Sequence, residues 1–224
     1  MPGALAIADD LLHGSGPFAP HAAAQRPWWW LPLASIAIAP LYGLVMGSYS
    51  VTSLDRVALC IFAGLKLPLL LLGSAAICLP AFFILNTALG LRGELRAALQ
   101  AIWAGQAVFA LALASLAPLT AVWYASDVGY RAAVLFNGVM FALGTTAGHS
   151  RMLRHYRPLI RRNRMHATAL AAWLTMYVFV GIQMAWMLRP FVGSPHEPPQ
   201  FFRSEPFSNA YVALAKLLAG SWMR

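Results

Sequence analysis

Six arginines and no acidic residue lie between residues 151 and 164, and a long apolar run stands on each side of them. The arginines are Arg151, Arg154, Arg157, Arg161, Arg162 and Arg164. Arginine-rich segments beside membrane spans remain on the cytoplasmic side, because moving their charge across the bilayer is costly. This feature predicts an integral membrane protein in which residues 150–166 form a cytoplasmic loop.

The composition excludes an ordinary water-soluble domain. Hydrophobic residues make up 60% of the 224 positions and charged residues 10%, against about 45–50% and about 25% in soluble domains. A net charge of +9 on a polar domain would suggest nucleic acid, but six of the sixteen basic residues fall in one segment beside apolar spans. We therefore predict the lipid bilayer as the partner and no nucleic acid. The six arginines of the 150–166 loop are candidates to contact anionic lipids or the acidic surface of a partner protein.

The apolar segments predict an all-α, polytopic bundle of five transmembrane helices. A helix needs about 20 apolar residues to cross about 30 Å of hydrocarbon. The segments that meet this length are approximately 31–48, 67–88, 98–123, 132–148 and 167–188. We expect residues 28–188 to form the transmembrane domain.

The second apolar run, residues 57–90, is too long for one upright helix, since its length as a helix would be about 51 Å. Proline removes a backbone donor and disfavours helix in the residue before it. We therefore predict a break at Lys66-Leu67-Pro68, with a short interfacial helix at 57–65, a span from 67 to 88 and a kink at Pro80.

The distribution of arginine predicts the orientation of the bundle. Segments 91–97 and 150–166 together hold eight arginines, whereas segments 49–56 and 125–131 hold two. With five spans, this places the amino terminus inside and the carboxyl terminus outside. The expected location is the cytoplasmic (inner) membrane, crossed several times.

The two ends of the chain differ from the spans. Residues 1–27 are weakly polar, contain four prolines and are predicted to be a cytoplasmic tail. Residues 189–224 are predicted to be an extracytoplasmic arm rich in proline and aromatic residues, followed by an amphipathic helix from Ser208 to about Trp222. A helix of that length is expected to lie on the membrane surface.

Several stretches resemble bacterial five-span membrane proteins related to the Yip (Ypt-interacting protein) family. They are 41–47 (LYGLVMG), 65–70 (LKLPLL), 79–86, 116–118 (LAP), 180–186 (VGIQMAW), 188–195 (LRPFVGSP) and 201–203 (FFR), and they are spread from about residue 40 to about residue 212. The resemblance implies a five-helix fold with a cytoplasmic amino terminus. Because the eukaryotic relatives are scaffolds that bind small GTPases and have no catalytic residues, it also implies a non-enzymatic role.

Lys66 is the one ionisable residue deep inside an apolar run. Such a residue is costly, by about 2.5–3.5 kcal/mol at the centre of a span, and often marks a pathway, a pair or a ligand. A second interpretation is that the side chain extends to the outer interface. We expect this second arrangement.

Four amide side chains lie within the predicted spans: Asn86, Gln106, Asn137 and Gln183. They are candidates to line a solute path together with Lys66, or to hydrogen-bond across neighbouring helices, which we expect. No predicted span carries a carboxylate, and this argues against a proton-coupled pump.

Two pairs of glycines with a spacing of four residues, Gly43 with Gly47 and Gly144 with Gly148, predict close helix approach. The histidines near the arginines, His149, His155 and His166, are expected to be solvated loop residues. Cysteine and histidine spacing gives no metal site, and no nucleophile lies beside an orienting base. We predict no catalytic residue, no metal and no cofactor.

These features favour a non-catalytic scaffold, accessory or assembly subunit of a larger membrane complex, in contact with other membrane subunits. The alternative is a small-solute transporter or channel component with a path lined by Lys66, Asn86, Gln106 and Gln183, because interrupted spans often form binding sites. The two hypotheses differ in whether those polar groups converge on one cavity or bond to neighbouring helices.

Overall fold

A computed structural model describes residues 30–51, 53–193, 198–202 and 211–212 of the chain. Within these ranges the chain is all-α, and its five α-helices are α1 (Trp30–Gly47), α2 (Ala58–Ala88), α3 (Leu95–Ala125), α4 (Tyr130–Arg162) and α5 (Met165–Leu188). Short 3₁₀ turns at Ser48–Ser50, Leu54–Val57 and Arg92–Glu94 connect them. The predicted amino-terminal tail and carboxyl-terminal surface helix lie outside the described residues, apart from Tyr211 and Val212.

Four of these helices, α1, α2, α3 and α5, are long and apolar enough to cross a membrane. The chain is therefore a helical membrane protein. The fourth helix in the chain, α4, is not in this group. Its carboxyl-terminal half carries five of the six clustered arginines.

The predicted break in the second apolar run is wrong. Helix α2 continues from Ala58 to Ala88 through Pro68 and Pro80, so the separate interfacial helix at 57–65 does not exist. A break would leave several backbone groups without partners in hydrocarbon, whereas one proline inside a helix removes a single donor. The continuous helix is therefore the less costly arrangement.

The predicted loop at 150–166 is also wrong, because α4 extends to Arg162. Met152, Tyr156 and Leu159 are buried against the bundle, and their spacing of four and three residues is that of one helix face. The exposed arginines occupy the remaining faces. Only Asn163 and Arg164 separate α4 from α5.

The helices run alternately up and down, which gives the bundle two ends. We call the end with Ala88, Leu95, Arg162 and Met165 the arginine end, and the opposite end, with Gly47 and Leu188, the arm end. Helix α1 packs on α2 and α3, α3 packs on α4, and α2 packs on α5.

Glycines allow the closest of these approaches. A Cβ on Gly43 or Gly47 would clash with the α2 backbone at Ala63 or Leu59, respectively. A Cβ on Gly148 would lie 2.7 Å from the carbonyl oxygen of Gly105 on α3. A Cβ on Gly144 would meet the Leu113 side chain of α3 at 3.2 Å. Both predicted glycine pairs therefore lie at helix contacts within the chain.

Candidate functional site

Lys66 lies inside the bundle and not at its surface. Its residue is 1% exposed, its Nζ donates a hydrogen bond to the Pro190 carbonyl at 2.7 Å, and the same atom lies 5.0 Å from the centre of the Phe201 ring. The expectation that this side chain extends to the interface is therefore wrong. The segment after α5 folds over it and supplies its partners.

That segment, residues 189–193 and 198–202, forms an arm against the arm end of the bundle. Phe201 packs edge-on against Phe62 of α2, with ring centres 5.4 Å apart. The Tyr130 hydroxyl donates to the Val192 carbonyl at 3.4 Å. A Cβ on Gly193 would lie 2.6 Å from the Leu59 side chain, so glycine lets the arm lie against α2 without moving that side chain.

Asn137 connects three helices. Its Oδ1 accepts a hydrogen bond from the Tyr42 hydroxyl of α1 at 2.8 Å, and its Nδ2 donates to the Tyr124 hydroxyl of α3 at 2.5 Å. The Thr120 hydroxyl donates to the Tyr42 oxygen at 3.4 Å. Asn137 itself is 4% exposed, so the amide is used inside the protein.

Asn86 and Gln183 lie apart from this network. The Asn86 side chain is fully buried, and its Nδ2 donates to the Phe82 carbonyl of the same helix at 2.8 Å. Gln183 is half-buried on α5 and engages a partner within the structure. Neither residue lines the cavity described next.

A cavity of about 330 Å³ lies between α2, α3, α4 and α5. Its walls include Ile102, Phe109, Phe141, Trp173 and Val178, and its polar lining includes Ser74, Gln106, Thr145, His149 and Tyr177. Gln106 hydrogen-bonds to the Tyr177 hydroxyl. Of the five polar residues predicted within the apolar runs (Lys66, Asn86, Gln106, Asn137 and Gln183), Gln106 is the one that lines this cavity.

A charged cluster holds the arginine end together. Glu94 accepts from His166 Nε2 at 2.5 Å and from Arg162 at 3.3 Å, and the His166 side chain is fully buried. The hydrogen bond from His166 is the main reason that the pKa of Glu94 is lowered. The expectation of solvated loop histidines is therefore wrong, because His166 is buried and because His149 and His155 lie on helix α4.

The clustered arginines do not share one environment. Arg151 is 6% exposed and lies beside His155, whose pKa is lowered to about 4, mainly by burial and then by the Arg151 charge. Arg154, Arg157 and Arg161 are exposed. They continue the helix face that carries the exposed Leu135, Val139 and Leu143 nearer the start of α4.

Sequence reasoning missed most of the partners of these groups. Tyr42, Thr120 and Tyr124 were not identified as partners of Asn137, and Ser74, Glu94 and Tyr177 were not identified as site residues. A hydroxyl group in the middle of an apolar run is a weak signal, because it bonds equally well to its own helix. Within the described ranges, no group of three potential metal ligands is present.

No protein-family model, no curated protein and no solved structure matches the chain. Its function is therefore inferred from its own residues.

Proposed function

We propose that this protein is a non-catalytic scaffold, accessory or assembly subunit of a larger complex in the cytoplasmic membrane. The observation that carries the proposal is the use of the polar side chains within the helices. Lys66 bonds to the arm, Asn137 bonds to two other helices, and Asn86 bonds to its own helix. The bonds of Asn137 join neighbouring helices, and bonds between helices specify how a bundle packs.

The transporter alternative requires Lys66, Asn86, Gln106 and Gln183 to meet along one path. Of these four, Gln106 lines the cavity, and its side chain already bonds to Tyr177. Lys66 is covered by the arm. The distribution of these residues favours the scaffold.

The full proposal includes five spans, with the amino terminus inside and the carboxyl terminus outside. Helix α4 has 33 residues, or about 50 Å, and about 30 Å of it suffices to cross the hydrocarbon. The apolar first half of α4 then adds one span to the four formed by α1, α2, α3 and α5. The half of α4 from Arg151 onward extends into the cytoplasm. This arrangement agrees with the retention of arginine on the inner side.

Arg154, Arg157 and Arg161 are the proposed contacts with anionic lipids. They lie beyond Leu135, Val139 and Leu143 on the same exposed face of α4, so a lipid whose chains cover the leucine and valine side chains would place its headgroup beside the arginines. Each such cation contributes about 1 kcal/mol near an anionic surface.

Purification of the full chain from its native membrane in mild detergent, followed by native mass spectrometry, tests the proposal. We expect other membrane proteins to co-purify in fixed stoichiometry. A Gln106→Leu variant should retain those partners, because Gln106 bonds within the bundle. A homogeneous monomer that transports a solute in vesicles, with transport abolished by Gln106→Leu, would instead establish the alternative function.

A further inference from the structure

The cavity between α2, α3, α4 and α5 opens sideways between α4 and α5. These two helices meet at the Asn163-Arg164 turn and make few contacts with each other. Thr145 of α4 and Val178 and Ile182 of α5 are exposed residues that line the cavity. An entrance of this kind faces the side of the bundle, where hydrocarbon surrounds a membrane protein.

Ser74 supplies an unusual polar group in this cavity. Its residue is fully buried, and its Oγ has no hydrogen-bond partner among the residues that the structure describes. The buried hydroxyl of Ser35, by contrast, donates to the Leu31 carbonyl of its own helix. Ser74 Oγ lies 3.9 Å from the position that a Cβ would take on Gly181, a residue of α5 that also lines the cavity.

A buried hydroxyl without a partner is costly, and a bound polar group would satisfy it. The Gln106–Tyr177 pair lines the same cavity and adds a second hydrogen-bonding position. The lining contains no lysine, arginine or acidic residue. A charged group would find no lysine, arginine or carboxylate partner here and would be costly within the bilayer, so the chemistry of the cavity favours an uncharged ligand.

The size and the walls of the cavity suit a small or flexible ligand. Its volume is about 330 Å³. Small-molecule sites span about 300–1,000 Å³ and combine apolar walls with a few polar groups. Phe109, Phe141 and Trp173 provide such walls.

We propose that this cavity binds an uncharged membrane lipid. Its hydrocarbon chain lies between α4 and α5, and its hydroxyl or carbonyl group bonds to Ser74 and to the Gln106–Tyr177 pair. This inference goes beyond the proposed function, because a scaffold, an assembly subunit or a transporter could each hold the lipid.

Photo-crosslinking of the purified full chain in detergent tests the proposal. The probe is a hexadecanol that carries a diazirine near its hydroxyl group, and the matched charged probe is the corresponding hexadecyl sulfonate. We expect saturable labelling by the alcohol, mapped to peptides around Ser74, Gln106 and Gly181, and at least tenfold weaker labelling there by the sulfonate. Ser74→Ala should weaken alcohol binding about fivefold, the value of one hydrogen bond.

Gly181→Leu is designed to fill the cavity, because Gly181 lines it and a Cβ at this position would meet only Ser74 Oγ within 4 Å. We expect it to abolish saturable labelling. The matched control is Gly138→Leu, whose side chain points into open space on the exposed side of α4, and it should label like the wild type. If Gly181→Leu does not fold, Ile182→Trp at the exposed edge serves as the second blocking variant.

Labelling that does not saturate, that is equal for the alcohol and the sulfonate, or that persists in a folded blocking variant would overturn the proposal. Release of a co-purifying membrane protein by Gly181→Leu would also overturn it, because a partner helix would then occupy the cavity. That last result would leave the scaffold function intact. If the wild-type protein instead purified from its native membrane without any partner, the proposed scaffold function would be refuted. The proposal that the cavity binds a lipid would be unaffected.

Discussion

At the scale of single residues, buried polar groups are satisfied by partners far away in the chain. Lys66 and Pro190 are 124 positions apart, and Tyr42 and Asn137 are 95 positions apart. Each bond joins two helices, or a helix and the arm. A substitution at such a residue should therefore change how segments dock before it changes the helices themselves.

We predict that Lys66→Met loosens the arm. The variant loses the hydrogen bond to Pro190 and the contact with Phe201, while methionine preserves the packing volume, so the helices should remain folded. Amide hydrogen exchange at residues 191–193 should become about tenfold faster, since a hydrogen bond to a charged group is worth about 1.5–3 kcal/mol.

Leu65→Met is the matched control for this variant, because Leu65 is 52% exposed on the adjacent position of α2. Its exchange rates should equal those of the wild type. Unchanged exchange in Lys66→Met would show that the arm docks without the lysine.

We predict that Glu94→Gln destabilises the arginine end by about 1 kcal/mol at pH 7, because Glu94 is half-buried and solvent screens part of its pairing. The pKa of Glu94 is lowered in the folded protein, chiefly by the His166 hydrogen bond. Its contribution is therefore present above the unfolded carboxyl pKa of about 4.3 and disappears as the pH falls through the lower folded value.

Thermal unfolding in detergent from pH 7 to pH 3 measures this effect. The wild type should unfold at a higher temperature than Glu94→Gln at pH 7, and the difference should vanish at the acidic limit. Arg92→Gln, at an exposed position on the same 3₁₀ turn, is the control and should match the wild type. A difference that persists unchanged at low pH would contradict the ion-pair account.

At the scale of elements, internal proline does not decide where these helices end. Both α2 and α4 are longer than the sequence predicted, and both contain internal proline. The contacts between helices depend on glycine. Gly43 and Gly47 let α1 touch the α2 backbone. A Cβ added at either position would clash with backbone atoms of α2, and no side-chain rearrangement could relieve that clash.

We predict that Gly43→Ala destabilises the bundle by about 1–3 kcal/mol, the usual cost of overpacking. The added methyl group would clash with the α2 backbone near Ala63. Gly138→Ala meets nothing within 4 Å and should be neutral or stabilising, because alanine favours a helix. Chemical denaturation in detergent measures both variants, and equal stabilities would contradict the close approach.

At the scale of the whole molecule, charge is concentrated at one end of the bundle, and the arm covers the other end. Arg154, Arg157 and Arg161 extend the exposed apolar face of α4 past its proposed membrane boundary. This asymmetry gives the bundle a preferred orientation in a membrane.

We predict opposite sidedness for Asn163 and Ser126, which lie in the turns at opposite ends of α4. In a background with Cys60 and Cys78 replaced by alanine, Asn163→Cys should be protected from an impermeant maleimide in intact cells, and Ser126→Cys should react. Both should react after permeabilisation. Reactive Asn163→Cys with protected Ser126→Cys would reverse the proposed orientation.

The sequence by itself determined that the chain is a membrane protein, that its fold is all-α and where along the chain its arginines cluster. Apolar length and charge act residue by residue, so they can be read along the chain. The tertiary structure decided what Lys66 bonds to, which helices Asn137 joins, and where Ser74 is left beside an open cavity. Those outcomes depend on which distant segments meet, and no local pattern contains that information.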